Sequence, residues 1–127
     1  MPDKPKTFGR VARKATQKQG GSAGLRDTSA RYQRLRERLM TAEPLCRYHK
    51  AQGQIVAATI LDHIIALALG GTNDPDNLAP ACLDCNTEKA KAEQRYLRAG
   101  HDVRFVASDP ALGRWLTLAG NPTLQRS

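Results

Sequence analysis

The chain has 127 residues, of which 40% are hydrophobic and only 5% aromatic. That is the size of one domain with a modest, mainly aliphatic core. No apolar run reaches the roughly 18 residues of a transmembrane helix, and the N-terminus lacks the apolar segment of a secretory signal, so we expect a cytoplasmic protein without a membrane partner.

The net charge is +8, and residues 1–38 carry the whole excess with eleven Lys/Arg against three Asp/Glu. Such a distribution is typical of nucleic-acid binders, although a solubilising tail or a polybasic membrane-contacting segment would look the same.

Residues 1–25 form the first segment and are rich in Lys, Arg, Gln, Gly and Ser, without apolar periodicity. This composition predicts a disordered basic arm. Its cations are candidate contacts to a phosphate backbone, and we take Arg10, Arg13 and Lys14 as the candidate DNA-binding residues of the arm.

A helix is predicted next, capped by Thr28 or Ser29 and running to about Met40. Tyr32 and Leu35 are two of the apolar residues that recur at helical spacing along one face. Arginines lie around the rest of the helix, and none of them is singled out as a DNA contact.

The remaining elements follow from propensity and turn signals. Residues 54–67 are rich in β-branched side chains and predict a strand, and the polar segment 70–76 predicts a turn. Strong helix formers predict a helix over residues 86–98. We expect a short strand over residues 102–107 and a last helix over residues 109–118, because Asp-Pro is a favourable helix start.

The three cysteines occur in patterns that suit metal binding. An odd number of cysteines argues against a disulfide framework. Cys46-x2-His49 and Cys82-x2-Cys85 form two knuckles separated by 32 residues. Three thiolates and one imidazole make a closed tetrahedral set, which predicts structural Zn²⁺ that folds the chain and does no chemistry. The alternative is three buried free thiols and an unrelated histidine.

The segment between the knuckles carries titratable residues. Asp62 and His63 stand side by side in an apolar stretch, and strand alternation would send them to opposite sides. Either one alone would suggest only a hydrogen-bonded core residue. Asn77 follows the turn region, Asn86 follows the second knuckle, and Lys89 lies one helical turn further on. The full order is Cys-x2-His, Asp-His, Asn, Cys-x2-Cys-Asn-x2-Lys.

This combined pattern resembles the HNH endonucleases, over residues 44–91, and looks most like the small HNH nucleases of phage genomes. The resemblance implies an α+β fold: a ββα-metal core stapled by a structural zinc, with a preceding basic helix, a disordered N-terminal arm and a short C-terminal extension. The corresponding organisation is a basic arm over residues 1–25, an HNH nuclease domain over residues 26–100, and an extension over residues 101–127.

The resemblance also implies roles for single residues. His63 matches the general base, and Asn77 matches the asparagine that orients its imidazole. Asp62 matches a ligand of the catalytic divalent metal, and Asn86 stands in the place of the final histidine as the second ligand. Its amide oxygen beside a carboxylate favours Mg²⁺ or Mn²⁺. Lys89 could contact a DNA phosphate or be a solvated helix residue.

The expected function is therefore metal-dependent hydrolysis of DNA phosphodiester bonds, by nicking or double-strand cleavage. Products with 5′-phosphate and 3′-hydroxyl ends are implied by the resemblance. Expected partners are DNA and either a second copy of the chain or a phage terminase subunit, which would link the activity to DNA packaging. The alternative is a zinc-stabilised nucleic-acid-binding module without catalysis.

Overall fold

A computed structural model describes residues 27–120 of the chain. The predicted arm, with Arg10, Arg13 and Lys14, lies outside the described residues. The helices and strands, in chain order, are α1 (Ala30–Ala42), α2 (Arg47–Lys50), β1 (Ile60–His63), β2 (Leu78–Ala81), α3 (Leu83–Arg98) and α4 (Pro110–Ala119), with short 3-10 helices at Leu67–Leu69, Pro75–Asn77 and Val103–Ser108. Among the described residues, none of the helices has the length and apolar character needed to cross a membrane.

The centre of the fold is a two-stranded antiparallel sheet followed directly by a helix. β1 pairs with β2 in a register that places Ile60 opposite Ala81 and His63 opposite Leu78. The helix α3 begins immediately after β2, because the sulfur of Cys82 caps it by accepting a hydrogen bond from the Cys85 amide. This mixed architecture of helices and a small two-stranded sheet confirms the predicted fold class.

The helix α1 forms as the capping signal predicts. The Ser29 hydroxyl accepts a hydrogen bond from the Tyr32 amide at 3.1 Å, and the helix ends at Ala42, two residues before Pro44. None of its residues is fully buried. The helix therefore packs through half-buried side chains on one face and leaves the other faces to solvent.

The predicted strand over residues 54–67 is wrong in length, because only Ile60–His63 pairs with β2. The residues before it pair instead with the segment after α1, through a bridge between Leu45 and Ala57, and Ile55 is 83% exposed. A β-branched run marks a surface that suits pleating, but the available partners decide which part of it joins the sheet.

The predicted strand over residues 102–107 is also wrong, because this segment is the 3-10 helix Val103–Ser108. The Asp102 carboxylate accepts a hydrogen bond from the Arg104 amide at 2.9 Å, and such a local bond competes with extended structure. The helix predicted over residues 86–98 begins three residues earlier, at Leu83. The predicted last helix is confirmed as α4, with the Asp109 side chain as its cap.

The core joins these elements around two aromatic residues. Tyr48 of α2 and Trp115 of α4 meet edge to face, with their ring centroids 5.1 Å apart. Cys46, Cys82 and Cys85 belong to the same buried cluster. The packing of α4 against both α2 and α3 therefore supports the region where the two cysteine knuckles meet.

Candidate active site

The two cysteine knuckles come together in one cluster. The ligand atoms of Cys46, His49, Cys82 and Cys85 all lie within 4.8 Å of one another. The His49 Nδ1 atom is 3.3 Å from the sulfur of Cys82 and 3.3 Å from that of Cys85. Tetrahedral zinc with Zn–S bonds of about 2.3 Å and Zn–N bonds of about 2.0 Å needs neighbouring ligand atoms a little under 4 Å apart. The cluster can therefore hold a zinc ion, and its four protein donors leave no open position for chemistry.

The thiols of the cluster have shifted acidity. Burial alone would raise the pKa of the Cys46 thiol, but backbone hydrogen bonds from His49 and Cys82 outweigh it and lower that pKa to about 7. Burial raises the pKa of Cys85, and the neighbouring sulfurs of Cys82 and Cys46 raise it further. Sulfurs this close oppose each other's ionisation, and a bound cation is the ordinary way to stabilise several thiolates together.

A cleft of about 520 Å³ lies beside this cluster, between α1, β1 and α3. Asp62, His63 and Asn86 all line it, so the structure brings together three of the predicted site residues. Asn86 follows Cys85 directly, and its backbone amide bonds to the Cys82 carbonyl at 3.1 Å. Within residues 27–120 the Asn86 side-chain amide has no hydrogen bond, which leaves its oxygen available to a ligand.

The imidazole of His63 has two neighbours in the cleft. Its Nε2 atom lies 2.7 Å from Oδ1 of Asn73. Its ring is parallel to that of Tyr32 within 3°, with the centroids 6.3 Å apart. With the Asn73 oxygen facing Nε2, a neutral imidazole carries its proton there, and Nδ1 is the basic nitrogen.

The structure corrects the predicted contact between Asn77 and the imidazole. Asn77 is only 2% exposed and holds main chain: its Oδ1 accepts from the Ile65 amide at 2.8 Å, and its Nδ2 donates to the carbonyls of Ile65 and Thr72 at 2.9 and 2.8 Å. Asn73 contacts the imidazole instead. Asn77 thus fixes the loop that carries Asn73, and its influence on His63 is indirect. The signal that sequence reasoning missed is a second asparagine in the turn segment.

Asp62 points to the inner side of β1 and is 8% exposed. Its Oδ2 accepts a hydrogen bond of 2.6 Å from the Tyr48 hydroxyl and lies 3.2 Å from the Lys89 ammonium. Burial raises the pKa of Tyr48 well above its ordinary value, and the negative charge of Asp62 raises it further. Tyr48 therefore stays protonated and donates to Asp62, a contact that spacing alone did not reveal.

The prediction that Lys89 contacts a DNA phosphate is wrong, because this side chain is 1% exposed. Its Nζ atom lies 2.5 Å from Oε2 of Glu93 and donates to the His63 carbonyl at 2.8 Å. Glu93 lines the cleft. Burial raises the pKa of the Glu93 carboxyl, and the adjacent Lys89 ammonium opposes that shift.

The helix α1 forms the opposite wall of the cleft and contributes Tyr32, Gln33 and Arg36. Sequence reasoning placed Tyr32 on the packing face and singled out no arginine. Within the described residues, the Arg36 guanidinium makes no hydrogen bond or ion pair. An unpaired guanidinium in a cleft is well suited to a phosphate or carboxylate.

Comparison with known proteins identifies the central segment. A family model described as HNH endonuclease matches residues 45–92. No curated protein and no solved structure gives a significant match. The matched segment contains both cysteine knuckles, the two strands and most of α3. The matching model covers less than half of the chain, and its description names an endonuclease. Residues 45–92 of this chain are therefore similar to the HNH endonuclease family.

Proposed function

We propose that this chain is a metal-dependent DNA endonuclease that hydrolyses phosphodiester bonds with His63 as its general base. One observation carries the proposal: His63, Asp62 and Asn86 line a single cleft, and all three lie in the segment that matches the HNH endonuclease model. A base and two oxygen-bearing side chains in one cleft are the groups that hydrolysis of a phosphodiester requires.

The proton transfer is assigned to Nδ1 of His63. A neutral imidazole can accept a proton from water while that water attacks phosphorus. Asn73 on Nε2 and the parallel ring of Tyr32 hold the imidazole in one orientation. Such positioning matters because a small displacement of a general base costs rate steeply.

Asp62 and Asn86 are the residues that would hold a divalent cation. The Tyr48 hydroxyl donates to Oδ2 of Asp62, and the Lys89 ammonium forms an ion pair with the same oxygen, so Oδ1 is the oxygen that a metal would take. Carboxylate and amide oxygens favour Mg²⁺ or Mn²⁺ over softer metals. When bound, such an ion supplies positive charge to the phosphate oxygens during cleavage.

Arg36 takes the phosphate-binding role in this proposal that the sequence had suggested for Lys89. Its guanidinium lines the cleft opposite α3, where it would bind a backbone phosphate next to the scissile one. The basic arm of residues 1–25, with Arg10, Arg13 and Lys14, would add sequence-independent affinity.

Zinc in the Cys46, His49, Cys82 and Cys85 cluster would have a structural role. It would pin α2 to the start of α3 and so fix the position of Asn86, which follows Cys85 in the chain. Sites of this kind contribute directly to folding stability.

A supercoiled-plasmid assay tests the proposal. Zinc-loaded protein would be incubated with Mg²⁺, Mn²⁺, Ni²⁺ or chelator, beside His63→Ala and Asn86→Ala variants prepared identically. We expect open-circle or linear product with Mg²⁺ or Mn²⁺ and none with chelator or with His63→Ala. Cleavage with Ni²⁺ alone would refute the oxygen-ligand argument. Binding without cleavage under every metal would favour the non-catalytic, zinc-stabilised nucleic-acid-binding module.

The resemblance to small phage HNH nucleases suggests a role in phage DNA packaging. A monomer with one base would nick, so double-strand cleavage calls for a second copy of the chain or two successive events. Size measurement on DNA-bound protein tests the homodimer, and a pull-down with a phage terminase subunit tests a packaging role.

A further inference from the structure

We propose that Lys89 is a positioning residue of the nuclease site, whose buried ammonium holds Asp62 and the His63 main chain in place and weakens cation binding in the cleft. This inference rests on the proposed function for the identity of the site. Lys89 contacts the proposed metal ligand Asp62 and the main chain of the proposed base His63.

The geometry around Lys89 is unusual for a lysine. Its ammonium reaches three oxygens: Oδ2 of Asp62 at 3.2 Å, Oε2 of Glu93 at 2.5 Å and the His63 carbonyl at 2.8 Å. The contacts to Glu93 and to the His63 carbonyl are hydrogen bonds, and the contact to Asp62 is an ion pair. Lys89 is 1% exposed, and lysines are almost never buried to this extent unless they are paired.

The contacts of Lys89 link α3 to the end of β1. Asp62 and His63 are adjacent in β1, and both line the cleft. Lys89 holds the carboxylate of the first and the carbonyl of the second. One side chain thus fixes the strand segment that presents both the metal-binding oxygen and the base.

The charges in this cluster are not balanced. Two carboxylates, Asp62 and Glu93, face one ammonium, while the Tyr48 hydroxyl only donates a hydrogen bond. With both carboxylates ionised, the cluster has a net charge of about −1 beside the cleft. Because Lys89 shares Asp62 with any bound cation, its positive charge opposes that cation at short range.

Removing the ammonium should therefore strengthen cation binding and slow catalysis. Without the ammonium the cluster loses one positive charge, so it attracts a cation more strongly. The same change releases Asp62 and the His63 carbonyl, so the reacting groups lose their alignment. General destabilisation of the fold would weaken both properties together.

The experiment compares three variants with the wild type. Lys89→Met removes the charge with little change in length. Lys89→Met/Glu93→Gln removes the ammonium but restores the net charge of the cluster. Lys91→Met is the matched control, because Lys91 lies on the same helix, is 60% exposed and pairs with Glu88. Each protein is measured for Mn²⁺ affinity by calorimetry without DNA, and for single-turnover cleavage rate at saturating Mn²⁺. Zinc content and melting temperature report folding.

We expect Lys89→Met to bind Mn²⁺ at least about fivefold more tightly while its maximal rate falls at least about tenfold. The double variant should return the Mn²⁺ affinity to within about twofold of wild type and keep the low rate, while Lys91→Met changes neither value. Weaker Mn²⁺ binding together with a lower rate in Lys89→Met, or no change in either, would overturn the proposal.

Two further comparisons keep the test decisive. If Lys89→Met does not fold, the double variant is judged instead: a reduced maximal rate at near-native Mn²⁺ affinity supports the positioning role, and a wild-type rate overturns it. If wild-type protein cleaves no DNA, the proposed function fails, but the calorimetric comparison still measures whether Lys89 opposes the cation.

Discussion

Tyr48→Phe removes one atom from the buried cluster beneath the cleft. The Tyr48 hydroxyl donates to Oδ2 of Asp62 at 2.6 Å, and its ring packs edge to face on Trp115. Phenylalanine keeps the ring contact and deletes only the donor. The variant therefore isolates the hydrogen bond to a buried carboxylate.

The expected cost follows from the charge of the acceptor. Hydrogen bonds to charged groups contribute about 1.5–3 kcal/mol, and neutral ones contribute about 1 kcal/mol. For a chain of this length about 1 kcal/mol corresponds to roughly 4 °C in melting temperature. We predict a loss of about 2 kcal/mol, or about 8 °C, in Tyr48→Phe.

Tyr96→Phe is the matched control. Tyr96 is also buried, but its hydroxyl donates to the neutral backbone carbonyl of Asp102 at 2.5 Å. We predict a loss of about 1 kcal/mol for this variant. Thermal and denaturant unfolding would be measured at the same free zinc concentration for both proteins. Equal losses in the two variants would refute the argument that Asp62 is a buried charged acceptor.

Three further predictions concern the cleft and the cysteine cluster. Asn73→Ala should lower the cleavage rate about tenfold by releasing the His63 imidazole, measured as single-turnover rate at unchanged DNA affinity; a wild-type rate would contradict the assigned contact. Arg36→Ala should weaken DNA binding more than Arg38→Ala on the same helix and reduce the salt dependence of log K by about 0.9. Equal losses of DNA affinity in the two variants would contradict the assignment of Arg36 as a phosphate contact. Zinc affinity should fall as the pH drops through 7, because the Cys46 thiol has a pKa of about 7 and is protonated below it. A competing chromophoric chelator would measure this affinity, and a value independent of pH between about 6 and 8 would contradict thiolate ligation.

The cysteine cluster shows what local spacing can predict. Ligands two residues apart in a knuckle are constrained by the chain itself, so the pairing of Cys46 with His49 and Cys82 with Cys85 was readable from the sequence. The helix caps at Ser29 and Asp109 could also be predicted, because a cap bonds to an amide only three residues further along the chain.

The contacts of single polar residues could not be predicted from the sequence, because they involve residues that are distant in the chain. The spacing placed Lys89 on the helix that follows the second knuckle, but only the packing of α3 on β1 buries its ammonium against Asp62. Two asparagines lie within the loop between β1 and β2, and the fold decides that Asn77 binds backbone while Asn73 meets the imidazole.

The position of α1 relative to the cleft also could not be predicted from the sequence. Its apolar periodicity predicted a packing face, and Tyr32 does lie on the inner side of the helix. The structure adds that this side also walls the cleft, where Tyr32 lies parallel to the His63 ring. A helix pattern identifies the buried face, but it does not identify what that face covers.

The most direct test of the central claim is a paired measurement on His63→Ala. A labelled duplex oligonucleotide would be used to measure binding and single-turnover cleavage on the same zinc-loaded samples with Mg²⁺ or Mn²⁺. General-base catalysis contributes about 10²–10⁴-fold, so we predict cleavage at least about 100-fold slower than wild type with DNA affinity unchanged within about twofold. Cleavage by His63→Ala at the wild-type rate would contradict the assignment of His63 as the general base.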